Sequence, residues 1–216
     1  MIKALIFDLD GTLVDTLKDL AVTTNEILKK YNYNEICIDK YRYFVGDGIR
    51  KLIERAILYN SGSLNKLDLI FNEFIKEYNK KYLRYAKVYD GIIKLLDILK
   101  ENNINLFVLT NKNHEIAINM INKLLPNYFL KVYGDSIDYP RKPNPFIINK
   151  IMNDYGYKKE EILMVGDSDV DVFTAHNANV KVIGCSYGFR GENELINAKS
   201  DFLVNSPLEI LNLLNL

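Results

Sequence analysis

The sequence predicts an α/β fold: a doubly wound, Rossmann-like parallel sheet as the core, with an inserted α-helical cap domain. Three observations lead to this prediction. Five short apolar runs have the length of buried strands, helical patterns alternate with these runs from residue 88 onward, and the stretch after the first run contains only helical patterns. Uninterrupted apolar runs are typical of parallel strands covered on both faces, and alternation of strand and helix is typical of doubly wound sheets.

The strands and helices of the predicted core follow from these runs and from the spacing of apolar residues between them. The strands cover residues 3–9, 105–110, 129–134, 162–167 and 180–185. The helices cover residues 90–102, 113–124, 143–155 and 169–178, and Ser206 and Pro207 open a final helix. The letters SPLE at this last start form a capping box with proline at the first helical position.

Residues 16–84 break the alternation and predict a separate domain. Apolar residues three and four apart predict helices at roughly 16–31, 48–59 and 64–83. We therefore expect an α/β core of residues 1–15 and 85–216 and a helical cap of residues 16–84. Because the chain leaves the core just after its first strand, the cap should lie over the carboxyl end of that strand and share the ligand with the crevice there.

Composition excludes several classes of protein. Lys plus Arg and Asp plus Glu both total 28, so no overall field attracts nucleic acid or an anionic membrane. No apolar run approaches the ~18 residues of a membrane span. Cys37 and Cys185 match no metal or redox spacing, and the N-terminus lacks the layout of a secretion signal. We expect a cytoplasmic protein with neither nucleic-acid nor membrane partners, acting as a monomer or homodimer.

Polar residues collect where the predicted strands end. Because ligands of open α/β sheets bind outside the carboxyl ends of the strands, these side chains should converge. Converging carboxylates repel one another unless a divalent cation compensates, and all-oxygen ligation favours Mg²⁺. With Lys142 as a fixed positive charge nearby, the set suits phosphoryl transfer. The strand-end residues are Asp8, Thr110, Asn111, Asp135, Ser136 and Asp167, with Asp169 and Asp171 just beyond.

Four short motifs resemble those of the haloacid dehalogenase-like hydrolases. They are DLDGTL at 8–13, LTN at 109–111, KPNP at 142–145 and GDSDVD at 166–171, in order and at the predicted positions. The resemblance spans essentially the whole chain. The helical insertion is similar to the small cap of the branch that contains phosphoglycolate phosphatases and β-phosphoglucomutases, and FVGDGIRKLIERAI at 44–57 resembles the phosphoglycolate phosphatase cap loop.

The resemblance implies a catalytic role for five residues. Asp8 would be the nucleophile that forms an aspartyl-phosphate, and Asp10 would be the general acid and then the base that activates water. Thr110 and the backbone of Asn111 would hold the phosphoryl oxygens. Lys142 would offset negative charge on Asp8 and on the phosphoryl group.

The resemblance also implies a Mg²⁺ site. Its ligands would be the carboxylate of Asp8, the backbone carbonyl of Asp10 and the carboxylate of Asp167, with Asp171 completing the shell directly or through water. One alternative stays open for Asp171, because an aspartate in the first turn of a helix is also favoured by the helix dipole.

The cap loop supplies the candidate substrate-binding residues Gly46, Asp47, Gly48 and Arg50. Arg50 could grip a substrate carboxylate through charge-assisted hydrogen bonds. The alternative is that Arg50 lies on a solvated helix face and that the glycines form an ordinary turn.

The sequence and the resemblance together predict a Mg²⁺-dependent phosphomonoester hydrolase acting on a small phosphorylated metabolite, with phosphoglycolate as the leading candidate. One alternative is a sugar phosphomutase of the β-phosphoglucomutase kind, which would use the same Asp8 and Asp10. Another class is a noncatalytic phosphometabolite-binding regulatory protein. Such a protein would not need to retain Asp10 or Lys142, and both are present.

Overall fold

The computed structural model describes residues Met1–Leu216, and the chain folds into two compact units. One unit combines Met1–Val14 with Val88–Leu216, and the other is the continuous segment Asp15–Lys87. The first contains the sheet, and the second contains only helices apart from the residues at its two ends.

The helical unit is built from three α-helices and two short 3₁₀ helices, Ile38–Tyr43 and Leu64–Lys66. Its apolar core includes Tyr41, Phe74 and Tyr78, all fully buried. The α-helices are α1 (Leu17–Lys30), α2 (Ile49–Tyr59) and α3 (Leu67–Lys81).

A buried hydrogen-bond network fixes the turn after α1. Asn25 donates to the Ile36 carbonyl at 2.8 Å and accepts from the Ile36 N–H at 3.0 Å, and the Tyr41 hydroxyl donates to the same side chain at 2.7 Å. A buried amide must satisfy its polar atoms, and Asn25 does so through the chain that returns past it.

Eight strands form, and the five that the sequence predicts are among them. β2 and β3 lie at the two crossings between the units. The other six form one parallel sheet in the order β5–β4–β1–β6–β7–β8. The bounds are β1 (Ala4–Phe7), β2 (Val14–Asp15), β3 (Lys87–Val88), β4 (Asn105–Asn113), β5 (Lys131–Asp135), β6 (Ile162–Gly166), β7 (Lys181–Cys185) and β8 (Phe202–Val204).

The strand order reverses at β1, which pairs with β4 on one side and β6 on the other. All residues of β1 are fully buried, as expected of a central strand with helices on both faces. The predicted fold class, a doubly wound parallel sheet, is confirmed. In such sheets the reversal point forms a crevice at the carboxyl ends of the strands, and this is where a ligand site is expected.

The helices of the α/β unit alternate with these strands along the chain, and the last helix follows β8. They are α4 (Ile92–Glu101), α5 (His114–Leu124), α6 (Phe146–Tyr155), α7 (Asp169–Asn177), α8 (Glu192–Asn197) and α9 (Glu209–Leu214). None of the nine helices combines the length and apolar character that a membrane crossing requires.

Several details differ from the sequence-based prediction, among them the final helix, which begins at Glu209 and not at Pro207. Helix α6 begins at Phe146 and not at Pro143, because the Asn144 side chain accepts the Phe146 N–H at 3.0 Å and holds the preceding residues in a turn. Strand β8 and helix α8 were not predicted, since three and six residues are too short to show a period. Strand β4 extends to Asn113, three residues beyond its predicted end at residue 110.

Candidate active site

Three aspartates and a lysine meet at the reversal point of the sheet. Asp8, Asp167 and Asp171 are buried, and one carboxylate oxygen from each lies within 4.8 Å of the others. Lys142 is buried with them. Its Nζ lies 2.8 Å from Asp8 Oδ1 and 2.6 Å from Asp171 Oδ1. The structure thus brings together four of the residues that the sequence singled out, from two strand ends and one loop.

Burial dominates the electrostatics of this cluster. It raises the pKa of Asp8 to about 7, a shift that Lys142 opposes and Asp171 increases. Burial also raises the pKa of Asp167 well above its ordinary value, with Asp171 and Asp8 adding to the effect. For Lys142, burial alone would lower the ammonium pKa, but Asp171 and Asp8 outweigh burial and raise it. One lysine therefore does not compensate the three carboxylates fully.

The carboxylates fit a magnesium ion by their chemistry. Lys142 Nζ lies 2.8 Å from Asp8 Oδ1 but is shared with Asp171, so one ammonium faces two of the three carboxylates. Three buried carboxylates that share a single cation are costly unless a second cation joins them. Oxygen donors on three carboxylates are the ligands that Mg²⁺ prefers.

Asp167 is held rigidly between two loops of the α/β unit. Its Oδ1 accepts the Thr12 hydroxyl at 3.2 Å, and its Oδ2 accepts the Phe189 N–H at 2.8 Å. The side chain also fits against two glycines, because a Cβ added at Gly11 or Gly188 would lie 2.3 Å from an Asp167 atom. Gly11 has φ +93°, so glycine is favoured there by backbone conformation as well as by space.

Asp171 forms hydrogen bonds with both of its oxygens. Oδ1 meets the Lys142 ammonium at 2.6 Å, and Oδ2 accepts the Ser168 N–H at 3.2 Å and the Ser168 hydroxyl at 2.8 Å. Since Ser168 is the N-cap of α7, Asp171 also caps the first turn of this helix. Both roles considered for Asp171, membership of the acidic cluster and first-turn helix residue, thus have a geometric basis.

Asn111 fixes the backbone of the loop that carries Lys142. Its side-chain oxygen accepts the Lys142 N–H at 2.9 Å, and its side-chain nitrogen donates to the Lys142 carbonyl at 3.2 Å. This reciprocal pair ties the end of β4 to residue 142, which is 31 positions away in sequence. The sequence placed both residues near the site but did not predict this contact.

Asp10 pairs with a lysine that the sequence analysis did not single out. Lys112 Nζ lies 2.9 Å from Asp10 Oδ1 and 3.1 Å from Oδ2. Thr110, one residue before Asn111, accepts the Lys112 N–H on its hydroxyl at 3.2 Å. The sequence feature that could have pointed to this role is that Lys112 directly follows the LTN motif. It was not used, because a lone lysine at a strand end is usually solvated.

Asp135, also considered at a strand end, does not join the cluster. Its two carboxylate oxygens bind the guanidinium of Arg141 at 2.6 and 2.5 Å, in an exposed bidentate pair. Asp135, the last residue of β5, therefore anchors the loop that precedes Lys142 through Arg141.

The predicted cap loop is ordered by its own ion pair. Asp47 binds Arg55 at 2.5 Å, and Gly46 and Gly48 on either side have φ of +109° and +86°. Arg50 lies in the first turn of α2, is half exposed, and pairs with Asp68 at 2.6 Å. The four predicted residues thus lie on one short segment of the helical unit, with Arg55 as an anchor that the sequence analysis missed.

The fold and the site together define the class of protein: an enzyme with a Rossmann-like sheet and a buried carboxylate cluster, paired with a lysine, that is suited to phosphoryl transfer. More particularly, the chain belongs to the haloacid dehalogenase-like hydrolases, because the model of that family matches residues 5–185. The predicted resemblance is confirmed.

Relatives with similar sequences and structures support the same class. The chain is 35% identical to the phosphoglycolate phosphatase of Agrobacterium fabrum, over 85% of this chain and 80% of the relative. It is 29% identical to that of Aquifex aeolicus, over 99% and 97%. A crystal structure of a predicted phosphoglycolate phosphatase from Haemophilus somnus superposes with a TM-score of 0.92 at 26% identity, covering 99% of this chain and 98% of that one. The chain is therefore a phosphatase, as predicted.

Proposed function

We propose that this enzyme hydrolyses phosphoglycolate, using Asp8 as nucleophile and Mg²⁺ as cofactor. The observation that carries the chemistry is the buried meeting of Asp8, Lys142, Asp167 and Asp171 at the switch point of the sheet. The choice of substrate is supported by relatives of nearly the same length that bear this name. The roles of Asp10, Thr110, Asn111 and Lys142 belong to the same proposal.

In the first step, a carboxylate oxygen of Asp8 attacks phosphorus while the bond from phosphorus to the ester oxygen breaks. Asp10 gives its proton to the departing alkoxide, so glycolate leaves as the neutral alcohol at that oxygen. Lys142, 2.8 Å from Asp8, offsets charge on the nucleophile and on the phosphoryl group. Thr110 and the backbone of Asn111 hold phosphoryl oxygens at the end of β4.

In the second step, water attacks the phosphorus of the aspartyl-phosphate. Asp10, now ionised, takes the proton from that water, and the bond between phosphorus and Asp8 breaks. Inorganic phosphate leaves, and both aspartates return to their starting states. The two half-reactions use the same acid–base group in opposite directions, so one residue serves both.

The carboxylates of Asp8 and Asp167 and the Asp10 carbonyl are the proposed Mg²⁺ ligands. When bound, the ion neutralises charge on the phosphoryl oxygens and on the nucleophile. Asp171 uses both oxygens for Lys142 and Ser168, which favours an indirect contact with the ion through water. Its main proposed task is to aim Lys142 at Asp8.

The helical unit is proposed to act as the cap that distinguishes one ester from another. Its support is connectivity, since this unit interrupts the chain shortly after Asp8. The carboxylate of phosphoglycolate needs a cationic or amide-rich partner, and Arg50 or the backbone amides around Gly48 are the candidates. The exposed ion pair of Arg50 with Asp68 is worth little, so exchanging Asp68 for a substrate carboxylate costs little.

Turnover of a panel of small esters with Mg²⁺ tests the substrate. We expect kcat/KM for phosphoglycolate to exceed that for esters of similar size without a carboxylate by about tenfold or more. A preferred ester of another kind would refute the substrate assignment while leaving the phosphatase chemistry intact. Formation of glucose 6-phosphate from β-glucose 1-phosphate would instead favour the phosphomutase alternative.

Arg50→Ala tests the carboxylate contact, with Arg42→Ala as a matched control on another exposed arginine of the helical unit. A charge-assisted contact is worth about 1.5 to 3 kcal/mol, so kcat/KM for phosphoglycolate should fall roughly ten- to a hundredfold. Hydrolysis of 4-nitrophenyl phosphate, which has no carboxylate, should barely change. An equal loss on both substrates would contradict the assignment, and so would no loss on either.

Two further points remain proposals. The enzyme is proposed to work in the cytoplasm, where its cysteines, Cys37 and Cys185, would stay reduced and unpaired as they are here. It is proposed to act as a monomer or homodimer, which sedimentation analysis would distinguish.

A further inference from the structure

We propose that Lys112 is a positioning residue for Asp10: it grips the carboxylate of the acid–base group and sets its orientation toward the ester oxygen. The inference rests on the proposed function, because it takes Asp10 as the group that moves the proton. It goes beyond that function by giving a task to a lysine outside the motif residues discussed above.

The contact between the two residues is a two-point grip. Lys112 Nζ lies 2.9 Å from Asp10 Oδ1 and 3.1 Å from Oδ2, so one ammonium spans both carboxylate oxygens. The Lys112 side chain is 1% exposed and that of Asp10 is 19% exposed. Contact at both oxygens restricts the rotation of the carboxylate as well as its position. The exposed part of Asp10 leaves room for a substrate to approach it.

The fold directs Lys112 inward through an irregularity in β4. The pairing of β4 with β5 is regular up to Leu109, then shifts register and resumes at Asn113. Thr110, Asn111 and Lys112 lie between these two points, outside the regular pairing of β4 with β5, and all three are buried. Bulges of this kind re-aim side chains next to active sites.

Two neighbours fix the backbone of Lys112 at this irregularity. The Thr110 hydroxyl accepts the Lys112 N–H at 3.2 Å. On the other side, Gly134 of β5 leaves room for the displaced strand, since a Cβ there would lie 2.8 Å from the Lys112 carbonyl oxygen. The lysine is therefore anchored at its backbone before its side chain reaches Asp10, 102 positions earlier in sequence.

The site then contains two separate lysine–aspartate pairs with different tasks. Lys142 serves Asp8 and Asp171, and Lys112 serves Asp10. A buried ammonium is costly unless it is paired, so the position of Lys112 is tied to that of the Asp10 carboxylate. During the reaction, one Asp10 oxygen stays on Lys112 while the other faces the ester oxygen or the water. A general acid must lie within hydrogen-bond reach of its target, and this arrangement provides the reach.

Substitution of Lys112 should reproduce the signature of losing Asp10. An alkyl ester needs its leaving oxygen protonated, and an activated aryl ester needs this much less. For Lys112→Met we expect kcat/KM for phosphoglycolate to fall about ten- to a hundredfold, and that for 4-nitrophenyl phosphate about threefold or less. Lys112→Arg should recover part of the loss on phosphoglycolate. Lys100→Met, the same change at an exposed lysine of the α/β unit, is the control and should match wild type.

The double variant with Asp10→Asn separates positioning from other effects. If Lys112 acts through Asp10, adding Lys112→Met to Asp10→Asn should cost no more than about twofold. A full additional loss would overturn the proposal, as would equal losses on both esters for Lys112→Met, or no loss at all. If Asp10→Asn itself impairs both esters equally, the acid role in the proposed function fails first, and that result is visible without any Lys112 variant.

Folding is monitored so that a structural defect is not mistaken for positioning. Thermal unfolding of each variant is followed by circular dichroism, and activity is compared only among variants that unfold cooperatively above the assay temperature. Should Lys112→Met fail this criterion, Lys112→Arg carries the test. Its differently shaped cation should still impair phosphoglycolate about threefold or more relative to the aryl ester, and equal rates on both would overturn the proposal.

Discussion

Replacing the proposed nucleophile should stabilise the protein in the presence of a chelator while abolishing turnover. Burial raises the pKa of Asp8 from 3.8 to about 7, so the folded state favours the protonated carboxyl. The contribution of this group to stability is therefore greatest below pH 3.8 and declines as the pH rises toward 7. At 1.36 kcal/mol per pKa unit, the ionised group costs at most about 4 kcal/mol above pH 7.

Asp8→Asn removes this cost but also removes the contact with Lys142. That lysine keeps its 2.6 Å ion pair with Asp171, so its charge remains partnered. We therefore expect a net gain of about 1 to 2 kcal/mol in EDTA at pH 8, or roughly 2 to 8 °C in Tm. At pH 5 the gain should be less than half as large, because a group with a folded-state pKa near 7 is then mostly protonated in the native protein.

The assay is thermal unfolding by circular dichroism in EDTA at pH 8 and pH 5, repeated with saturating Mg²⁺. Ligand binding to the native state stabilises it, so Mg²⁺ should raise the Tm of wild type more than that of Asp8→Asn. Asp138→Asn, at an exposed loop position, is the control and should leave Tm nearly unchanged. A lower Tm for Asp8→Asn in EDTA at pH 8 would refute the reasoning, and so would a gain that does not depend on pH.

Three further outcomes are expected. Chelation should silence turnover reversibly and Ca²⁺ should inhibit, because the larger ion accepts more oxygens and can occupy both oxygens of Asp8; full activity after exhaustive metal removal would contradict this. Gly188→Ala should reduce kcat at least tenfold and lower Tm, since its Cβ would lie 2.3 Å from Asp167, and wild-type kinetics would argue against the tight fit. Arg55→Ala should raise KM for phosphoglycolate by freeing Asp47 and its loop, with kcat on 4-nitrophenyl phosphate unchanged; an unchanged KM would exclude this loop from substrate binding.

Much of the site was predictable because strand ends of a parallel sheet converge. Apolar runs located the strands, so Asp8 and Asp167 could be placed together before any contact was known. Periodicity cannot reveal which side chains touch across a hundred residues, and the Lys112 contact with Asp10 was missed for that reason. It depends on the register shift within β4, and an apolar run gives no sign of such a shift.

Short elements and polar anchors were the other limit. Strand β8 has only three residues, so it is recognised as a strand by its pairing with β7 and not by its own sequence. Arg55 looks like any helix-surface arginine in the sequence. Its role is visible only in the structure, where its guanidinium donates to the Asp47 carboxylate and to the Phe44 carbonyl, both of which precede helix α2.

The placement of Asp167 between two glycines bears on how this enzyme could be re-engineered. Gly11 and Gly188 belong to loops far apart in the sequence, yet the same side chain fills the space beside both, and the Tyr187 hydroxyl reaches the Thr12 carbonyl at 3.1 Å. A graft of the loop after β7 from another protein would therefore shift a proposed metal ligand unless it brought a glycine and a backbone donor at the same positions. The loop after β7 and the turn after β1 would therefore have to be exchanged together. Neither is suitable for sequence changes made without matching changes in the other.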